Sequence, residues 1–425
     1  MNILLRFLIL SLKFIVDLIG DIFHAFGLKV SLLSYDSLVR SLSKPAKTEL
    51  MKAVYVQDNL KMFTKYFTAG NRVPLSAQFF FKIWATNLLE MRVRINRCLK
   101  EDPSIYRVPF RRPVFFVTLW RTGSTHLHHL MSQDKKWRCP ELWELEDCAP
   151  PPGGFDDERR IKKSALKWDI TSVLMGWNDI NKVHKFNARN PEDLLILYHT
   201  DFAMVQTALM HEYVEGVYMD FVCNPKESLQ NIYDRNLKTR LQMICRNSDM
   251  ERRRLLTMIH TFPVHMESLL ETFPDAQIIT LHRDPANQIK SACELIKVNT
   301  QSTKRIFASD NVGYGRRVFK AVLRDTKRMI KWREDPKLQA KDFERFIDVQ
   351  FKDLIEDPIG TVEYIYKKLD MTLDQEAKVN MLNFLNDHTK STKNTKVSKL
   401  FDYGLTEDYV RDSLKYYIDY FNVKL

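Results

Sequence analysis

Short apolar runs recur along this chain and set the pattern of its predicted elements. Four runs have the length and the β-branched or aromatic content of strands: 113–119, 254–259, 277–282 and 346–351. Their apolar residues are nearly continuous, which is typical of strands buried on both faces of a sheet. Amphipathic stretches with helical spacing follow or alternate with these runs, at 285–298, 359–369, 374–387 and 406–420. This alternation predicts an α/β fold with a parallel sheet flanked by helices.

The rest of the chain is predicted to be mainly helical. Residues 36–105 carry apolar residues at helical spacing, and residues 156–215 are predicted to be mostly helical, with a break near Asn190-Pro191. We therefore expect three units: an apolar amphipathic helix in 1–34, a helical extension in 35–105, and an α/β domain with helical insertions in 106–425.

Composition indicates a globular protein with an anionic partner. The 425 residues are 45% hydrophobic and 28% charged, with a net charge of +12. A basic surplus suits an anionic ligand, an acidic membrane or nucleic acid, but no zinc-finger spacing or RNA-binding signature accompanies it, so no nucleic-acid partner is expected. The six cysteines are scattered without a CxxC pair, which predicts neither a metal site nor a disulfide framework.

The first 28 residues are apolar with a narrow polar stripe. At about 100° per residue the stripe contains Arg6, Lys13, Asp17, Asp21 and His24. A signal peptide fits poorly because these residues interrupt its apolar core. A transmembrane span would bury two aspartates, each at a cost of roughly 2.5–3.5 kcal/mol.

We therefore expect residues 1–28 to form a helix that lies in a membrane interface or docks its apolar face on the protein body, with a signal-anchor as the second choice. The expected location is a membrane surface, at the cytoplasmic face or on an organelle. A signal-anchor in a secretory compartment is the alternative.

The loop after the first strand has the chemistry of a phosphate site. It reads Arg121-Thr122-Gly123-Ser124-Thr125 and leads into a helix. Such a turn directs backbone N–H groups and the positive helix end at one point, and Arg121 adds a fork of donors. The GxxxxGK[ST] pattern of nucleoside-triphosphate loops is absent, since no Lys follows Gly123. An ordinary capped helix after a strand is the alternative interpretation.

A second strand–helix junction carries another arginine. Arg283 ends the strand at 277–282, Asp284 and Pro285 suit the start of a helix, and Ser291 follows eight residues after Arg283. Open α/β sheets bind ligands at this end of their strands.

The two junctions together resemble the sulfotransferases that use 3′-phosphoadenosine 5′-phosphosulfate (PAPS), in particular the "PRTGTT" branch. The resemblance extends over about residues 75 to 420 and implies a P-loop-like sheet. Further motifs match in order and spacing: Asn96-Arg97, the "R-x-P-x-x-W-E" segment at 138–144, 273–276, 351–358 and 403–405.

The resemblance implies roles for individual residues. The loop at 121–125 would hold the 5′-phosphosulfate, and Arg283 with Ser291 would hold the 3′-phosphate of PAPS. Lys393 and Lys396 lie where the family closes a basic loop over that phosphate, although a solvated linker is an equal alternative. The family uses no metal, and Arg121 would stabilise the leaving phosphate.

The acceptor side is less defined by the sequence. His184 and Glu192 are the preferred candidates for the general base that takes the proton of a hydroxyl or amine acceptor, which we expect to be a lipid, a glycan or a small metabolite. His128 is a further candidate, with a hydrogen-bonded core histidine as the alternative.

Three departures from the family pattern bear on activity. Trp120 replaces a proline at the loop entry, and Ser124 replaces a threonine. Thr261, with His260 beside it, stands where the branch carries a lysine in "K-S-P-x-H". Either His260 substitutes for that lysine, or activity is altered or lost. The alternative function is therefore a catalytically silent relative that binds PAPS or its product at a membrane. A nucleotide kinase is disfavoured.

Overall fold

A single parallel sheet organises the chain. The computed structural model describes residues 3–28, 30–68, 74–174, 186–203, 232–261, 264–299, 311–389 and 399–425. The strands are β1 Val114–Thr118, β2 Trp137–Arg138, β3 Arg254–His260, β4 Gln277–His282 and β5 Phe346–Gln350. They pair in the order β2-β3-β1-β4-β5, and every pair is parallel. The predicted α/β fold and its four longer strands are confirmed. The strand β2 was missed because two residues carry no periodicity.

The central strand is buried on both faces, as its continuous apolar run predicts. Phe115 and Val117 join one apolar core, whereas Val114 and Phe116 join the other. The register places Thr118, the last residue of β1, beside His260, the last residue of β3. Because parallel strands end at the same edge of a sheet, the loops after β1, β3 and β4 meet there.

Helices make up the N-terminal part of the described chain, as expected. Their bounds are α1 Ile3–Ala25, α2 Tyr35–Ser41, α3 Lys44–Lys52, α4 Val54–Thr68 and α5 Leu75–Glu101. The next helices are α6 Ser124–Met131, α7 Leu142–Glu146, α8 Asp157–Leu174, α9 Leu195–Tyr198 and α10 Thr239–Ile244.

All four predicted C-terminal helical stretches are present, and three further helices among the described residues were not predicted. They are α11 Met266–Thr272, α12 Pro285–Asn299, α13 Asn311–Glu334, α14 Phe351–Glu356, α15 Pro358–Lys368, α16 Gln375–Thr389, α17 Glu407–Ser413 and α18 Lys415–Tyr420. The pattern did not predict α11, α13 and α14. Helix α13 has glycines at its third and fifth positions and is rich in charge. Gly315 is there for packing, since a Cβ at that position would lie 2.0 Å from the backbone oxygen of Tyr403.

The N-terminal helix forms where predicted but faces the opposite way. Its polar stripe turns toward the body, where Lys13 pairs with Asp17 at 2.7 Å and Asp17 accepts a hydrogen bond from the Ser76 N–H at 3.0 Å. The expectation that a docked helix would bury its apolar face is therefore wrong. Within the stripe, Lys13, Asp17 and Asp21 are half-buried, and Arg6 and His24 are exposed. No helix among the described residues has both the length and the apolar content needed to cross a membrane.

Candidate active site

The loop between β1 and α6 takes a path that requires glycine. Gly123 has a φ of 89° and Arg121 a φ of 63°, both in the left-handed region. A Cβ at Gly123 would also lie 2.8 Å from the ring of Phe351. The tight turn brings the start of α6, at Ser124, to the carboxyl edge of the sheet. The first N–H groups of this helix have no partners within the helix and favour an anion.

The hydroxyl of Thr122 holds the loop closed from the inside. Thr122 is fully buried, and its Oγ1 lies 2.9 Å from both the backbone oxygen of Leu119 and the Oγ1 of Thr118. Ser124 is buried and Thr125 is half-buried. Thr122 can therefore offer its backbone N–H to a ligand, while its side chain fixes the turn.

The two predicted junctions meet in space. The Arg121 Nε donates to the Ser291 Oγ at 3.0 Å, and the Arg283 Nη1 donates to the backbone oxygen of Arg121 at 2.8 Å. Burial, and then the neighbouring charge of Arg283, lower the pKa of Arg121, whereas Glu294 opposes this shift. A partly desolvated concentration of positive charge of this kind is stabilised by an anionic ligand.

Neighbouring side chains orient Arg283 toward this point. Its guanidinium lies 4.2 Å from the centre of the Phe351 ring. The adjacent Asp284 is engaged elsewhere, by Arg411 Nη2 at 2.8 Å and Nε at 3.2 Å. Since Arg411 occupies that carboxylate, Asp284 does not neutralise Arg283 by direct pairing.

The tryptophan at the loop entry is accommodated without loss of the turn. Trp120 is half-buried and packs on the larger apolar core. Its backbone oxygen accepts a hydrogen bond from the Gln288 Nε2 at 2.7 Å, which ties the loop to α12. The departure from proline therefore leaves the loop attached to the helix that carries Ser291.

His128 is a core residue of α6. It is fully buried, its Nε2 lies 3.4 Å from the backbone oxygen of Leu256, and its ring packs on Phe116 at 5.6 Å between centroids. Burial, with His129 adding to it, lowers the pKa of His128 to about 3, so its ring is neutral at physiological pH. This environment agrees with the structural alternative and argues against contact with an acceptor.

The segment around Glu192 lies along β3. Asp193 forms an isolated parallel bridge with Met258, and the Leu194 N–H donates to the Met258 backbone oxygen at 2.9 Å. Glu192 is buried, and its Oε1 accepts from the Asp193 N–H at 3.0 Å. His184, Lys393 and Lys396 lie outside the described residues, and their predicted roles stay predictions.

Asp193 and His260 form a pair that the sequence did not indicate. The Asp193 Oδ2 lies 3.3 Å from the His260 Nε2, and 20% of the His260 side chain is exposed. Burial raises the pKa of Asp193 well above its usual range, the charge of Glu192 adds to this, and backbone N–H donors at Leu195 and His260 oppose it. One feature of the sequence could have drawn attention to Asp193: it directly follows Glu192, a candidate for the general base.

Thr261 and His260 are neighbours in the chain, but their side chains contact different parts of the protein. Thr261 is buried, and its Oγ1 donates to the Asp325 Oδ2 at 3.2 Å, on α13. His260 lies on the same strand face as Met258, which packs with residues of α6, because side chains alternate along a strand. At the end of β3, the polar side chain on the α6 side is therefore histidine.

No group of three or more His, Cys, Asp or Glu side chains among the described residues has the arrangement of a metal site. The site as described is built from arginines, hydroxyls, backbone N–H groups and one carboxylate–histidine pair. These groups can bind a polyanion and can transfer a proton.

Comparison with known proteins agrees with this geometry. Two solved structures share the fold. Sulfotransferase STF9 from Mycobacterium avium has 21% identity and a TM-score of 0.75, and the match covers 90% of this chain and 96% of that chain. Sulfotransferase STF1 from Mycobacterium tuberculosis H37Rv has 22% identity and a TM-score of 0.68, and the match covers 91% of this chain and 99% of that chain. No curated protein matches the chain at a significant level. The sequence model of the Sulfotransferase family matches residues 113–375, from β1 to the start of α16. The chain belongs to the sulfotransferase family.

Proposed function

We propose that this protein transfers a sulfuryl group from PAPS to a hydroxyl or amine of a lipid, a glycan or a small metabolite. The observation that supports this most is the contact of Arg121 with both Ser291 and Arg283 beside the Gly123 turn. Two phosphate-binding elements that lie far apart in sequence thereby form one cationic site, as a nucleotide with phosphates at two positions requires.

Each element has a separate task in this proposal. The backbone N–H groups at 122–125 and Arg121 hold the 5′-phosphosulfate. Arg283 and Ser291 hold the 3′-phosphate. During transfer the S–O bond to the 5′-phosphate breaks, and a new S–O bond to a hydroxyl acceptor or a new S–N bond to an amine acceptor forms. Negative charge then accumulates on the leaving phosphate, where Arg121 and the loop N–H groups stabilise it.

The acceptor proton needs a base, and we assign this task to His260, positioned by Asp193. His260 ends β3 next to Thr118, the residue from which the phosphate loop begins. Because the Nδ1 of His260 is buried, we assign the proton to its Nε2, which lies 3.3 Å from the Asp193 Oδ2, and this carboxyl group orients the ring. Glu192 is buried and directly precedes Asp193 in the chain, and His184 and Glu192 stay the alternative candidates for this base.

One experiment tests the reaction without knowledge of the acceptor. The purified protein is incubated with PAPS, and release of 3′,5′-adenosine bisphosphate (PAP) is followed by chromatography, first alone and then with lipid or glycan extracts. Slow release that an extract accelerates supports a transferase. A protein that binds neither PAPS nor PAP contradicts the proposal.

A silent PAPS-binding relative is the second candidate function. The observation that favours it is the absence of the family's lysine at the end of β3, where His260 and Thr261 stand. This candidate predicts tight binding of PAPS and no release of PAP with any extract. The change Thr261→Lys, which puts a lysine at the family's own position, separates the two functions: it would create activity only in a silent protein.

A further inference from the structure

The N-terminal helix presents its apolar side chains to solvent. Large apolar residues with well over a third of their surface exposed run from one end of α1 to the other: Ile3, Leu4, Phe7, Leu8, Leu10, Leu12, Phe14, Ile15, Leu18, Ile19, Ile22 and Phe23. None of the residues of α1 is buried. Soluble proteins rarely expose apolar patches of this extent unless the patch binds something.

The helix cannot turn this face inward, because its polar side stabilises the body. Helix α5 begins after Pro74 and has no side-chain cap of its own. Asp17 supplies the missing cap from α1, since its Oδ1 accepts the Ser76 N–H at 3.0 Å. Gly20 allows the close approach, because a Cβ there would lie 3.0 Å from the Cβ of Leu75.

The exposed apolar surface continues from α1 onto the neighbouring helices. Phe79 and Ile83 of α5 are exposed by 57% and 47%, and Leu166 of α8 by 48%. Helix α1 packs on both α5 and α8. The apolar surface therefore belongs to the folded body and is not confined to a detachable tail.

We propose that this surface, formed by α1 with Phe79, Ile83 and Leu166, seats the protein on a lipid bilayer, with α1 lying in the plane of the membrane. At about 100° per residue, the exposed apolar positions of α1 spread over roughly 220° of its circumference. A helix that packs on another protein uses an apolar stripe about 100° wide. Lipid chains, which are fluid, cover all directions that the body leaves open.

Length and charge also favour a bilayer over a second copy of the chain. The 23 residues of α1 extend about 35 Å, and an in-plane helix of that length sinks its apolar side into the acyl boundary. The net charge of +12 repels another copy but suits an anionic membrane surface. Since Arg6 and Lys13 are balanced by Asp17 and Asp21 on α1 itself, hydrophobic burial is the larger contribution.

Flotation with vesicles tests this proposal on the full chain. Vesicles of phosphatidylcholine alone, and of phosphatidylcholine with phosphatidylserine, are mixed with the protein and floated at low and high salt. The double change Phe7→Ser with Phe14→Ser removes two outward rings that are 71% and 68% exposed. The matched control is Phe401→Ser, in the short 3₁₀ helix Leu400–Tyr403, which removes a ring exposed by 76%.

The proposal predicts flotation with both vesicle types that persists at high salt. Each lost phenylalanine should lower the partition coefficient by about 10- to 100-fold, because the ring no longer buries its apolar surface in the acyl boundary. Phe401→Ser should float like the unchanged protein, and all variants should melt at the same temperature, since the three rings are exposed. Flotation that high salt abolishes would contradict the proposal.

Two further outcomes would also overturn it. A dimer in solution that the double change dissociates, together with no flotation, would make the surface an interface between copies. Protection of a tag at residue 1 inside sealed vesicles, with the body digested outside, would show a spanning helix. Both readouts are independent of PAPS binding, so failure here leaves the proposed function standing.

Discussion

The Arg121 Nε donates to the Ser291 Oγ across 3.0 Å, between residues separated by 170 positions in the chain. The contact joins the loop after β1 to the helix after β4, on neighbouring strands of one sheet. Since the two junctions carry the two halves of the family's nucleotide site, their contact is the structural basis of the proposed function.

The first prediction concerns the turn that precedes α6. Gly123→Ala should destabilise the protein by about 1–3 kcal/mol, because alanine disfavours a φ of 89° and its Cβ would meet Phe351 at 2.8 Å. PAP binding should weaken as the loop is displaced. Gly154→Ala is the matched control, since nothing lies within 4 Å of its Cβ. Thermal melting and PAP titration measure both effects, and equal melting of the two variants would contradict the account of the turn.

The second prediction concerns the proposed base. His260→Asn should reduce sulfuryl transfer by about 10²- to 10⁴-fold while PAP affinity is retained, because the ring acts on the acceptor and not on the nucleotide. The activity lost on acidification should follow protonation of His260, so the acidic limb of the pH profile should disappear in the variant. His265→Asn is the control, since His265 caps α11 away from this pair. An unchanged profile would remove His260 from the mechanism.

The third prediction concerns stability and follows from the raised pKa of Asp193. The folded state holds the Asp193 proton to higher pH than the unfolded state, so stability is lost as pH rises from the unfolded pKa, about 3.9, through the folded pKa. The variant Asp193→Asn has no group that titrates at this position, so its stability does not fall over this pH range. It should melt at a higher temperature than the unchanged protein at neutral pH, and at the same temperature below pH 4, while transfer activity falls. A neutral-pH melting temperature below that of the unchanged protein would show that the ionised pair stabilises the fold.

The fourth prediction concerns the cap that α1 supplies to α5. Asp17→Ala should destabilise the protein by about 0.5–2 kcal/mol, because the Ser76 N–H loses its acceptor. Asp342→Ala, at an exposed position outside the helices, should have little effect. Denaturant unfolding measures both. Equal stability of the two variants would mean that α1 does not hold α5.

Local pattern was enough to predict the elements that build the sheet edge. The β-branched runs predicted β1 and β4, and the Arg283-Asp284-Pro285 junction indicated where α12 begins. These features depend on local sequence, as the turn at Gly123 does. The pairing of Asp193 with His260 depends on how a loop lies along β3, and no local pattern encodes this.

The orientation of α1 could not be predicted for a related reason. The stripe from Arg6 to His24 was visible, and amphipathic helices usually turn the polar side to water. Here Asp17 caps a helix that begins with Leu75 and lacks a side-chain cap. That requirement of α5 becomes apparent only when the two helices are seen together.

The most direct test of the account is calorimetric titration of the protein with PAP and with AMP, which lacks the 3′-phosphate. The account predicts that PAP binds far more tightly, and that Arg283→Ala or Ser291→Ala removes most of this preference while AMP binding changes little, because both side chains are assigned to the 3′-phosphate. Lys290→Ala, next to Ser291 in the chain, serves as the control and should keep the preference. Equal affinity of the unchanged protein for the two nucleotides would contradict the account.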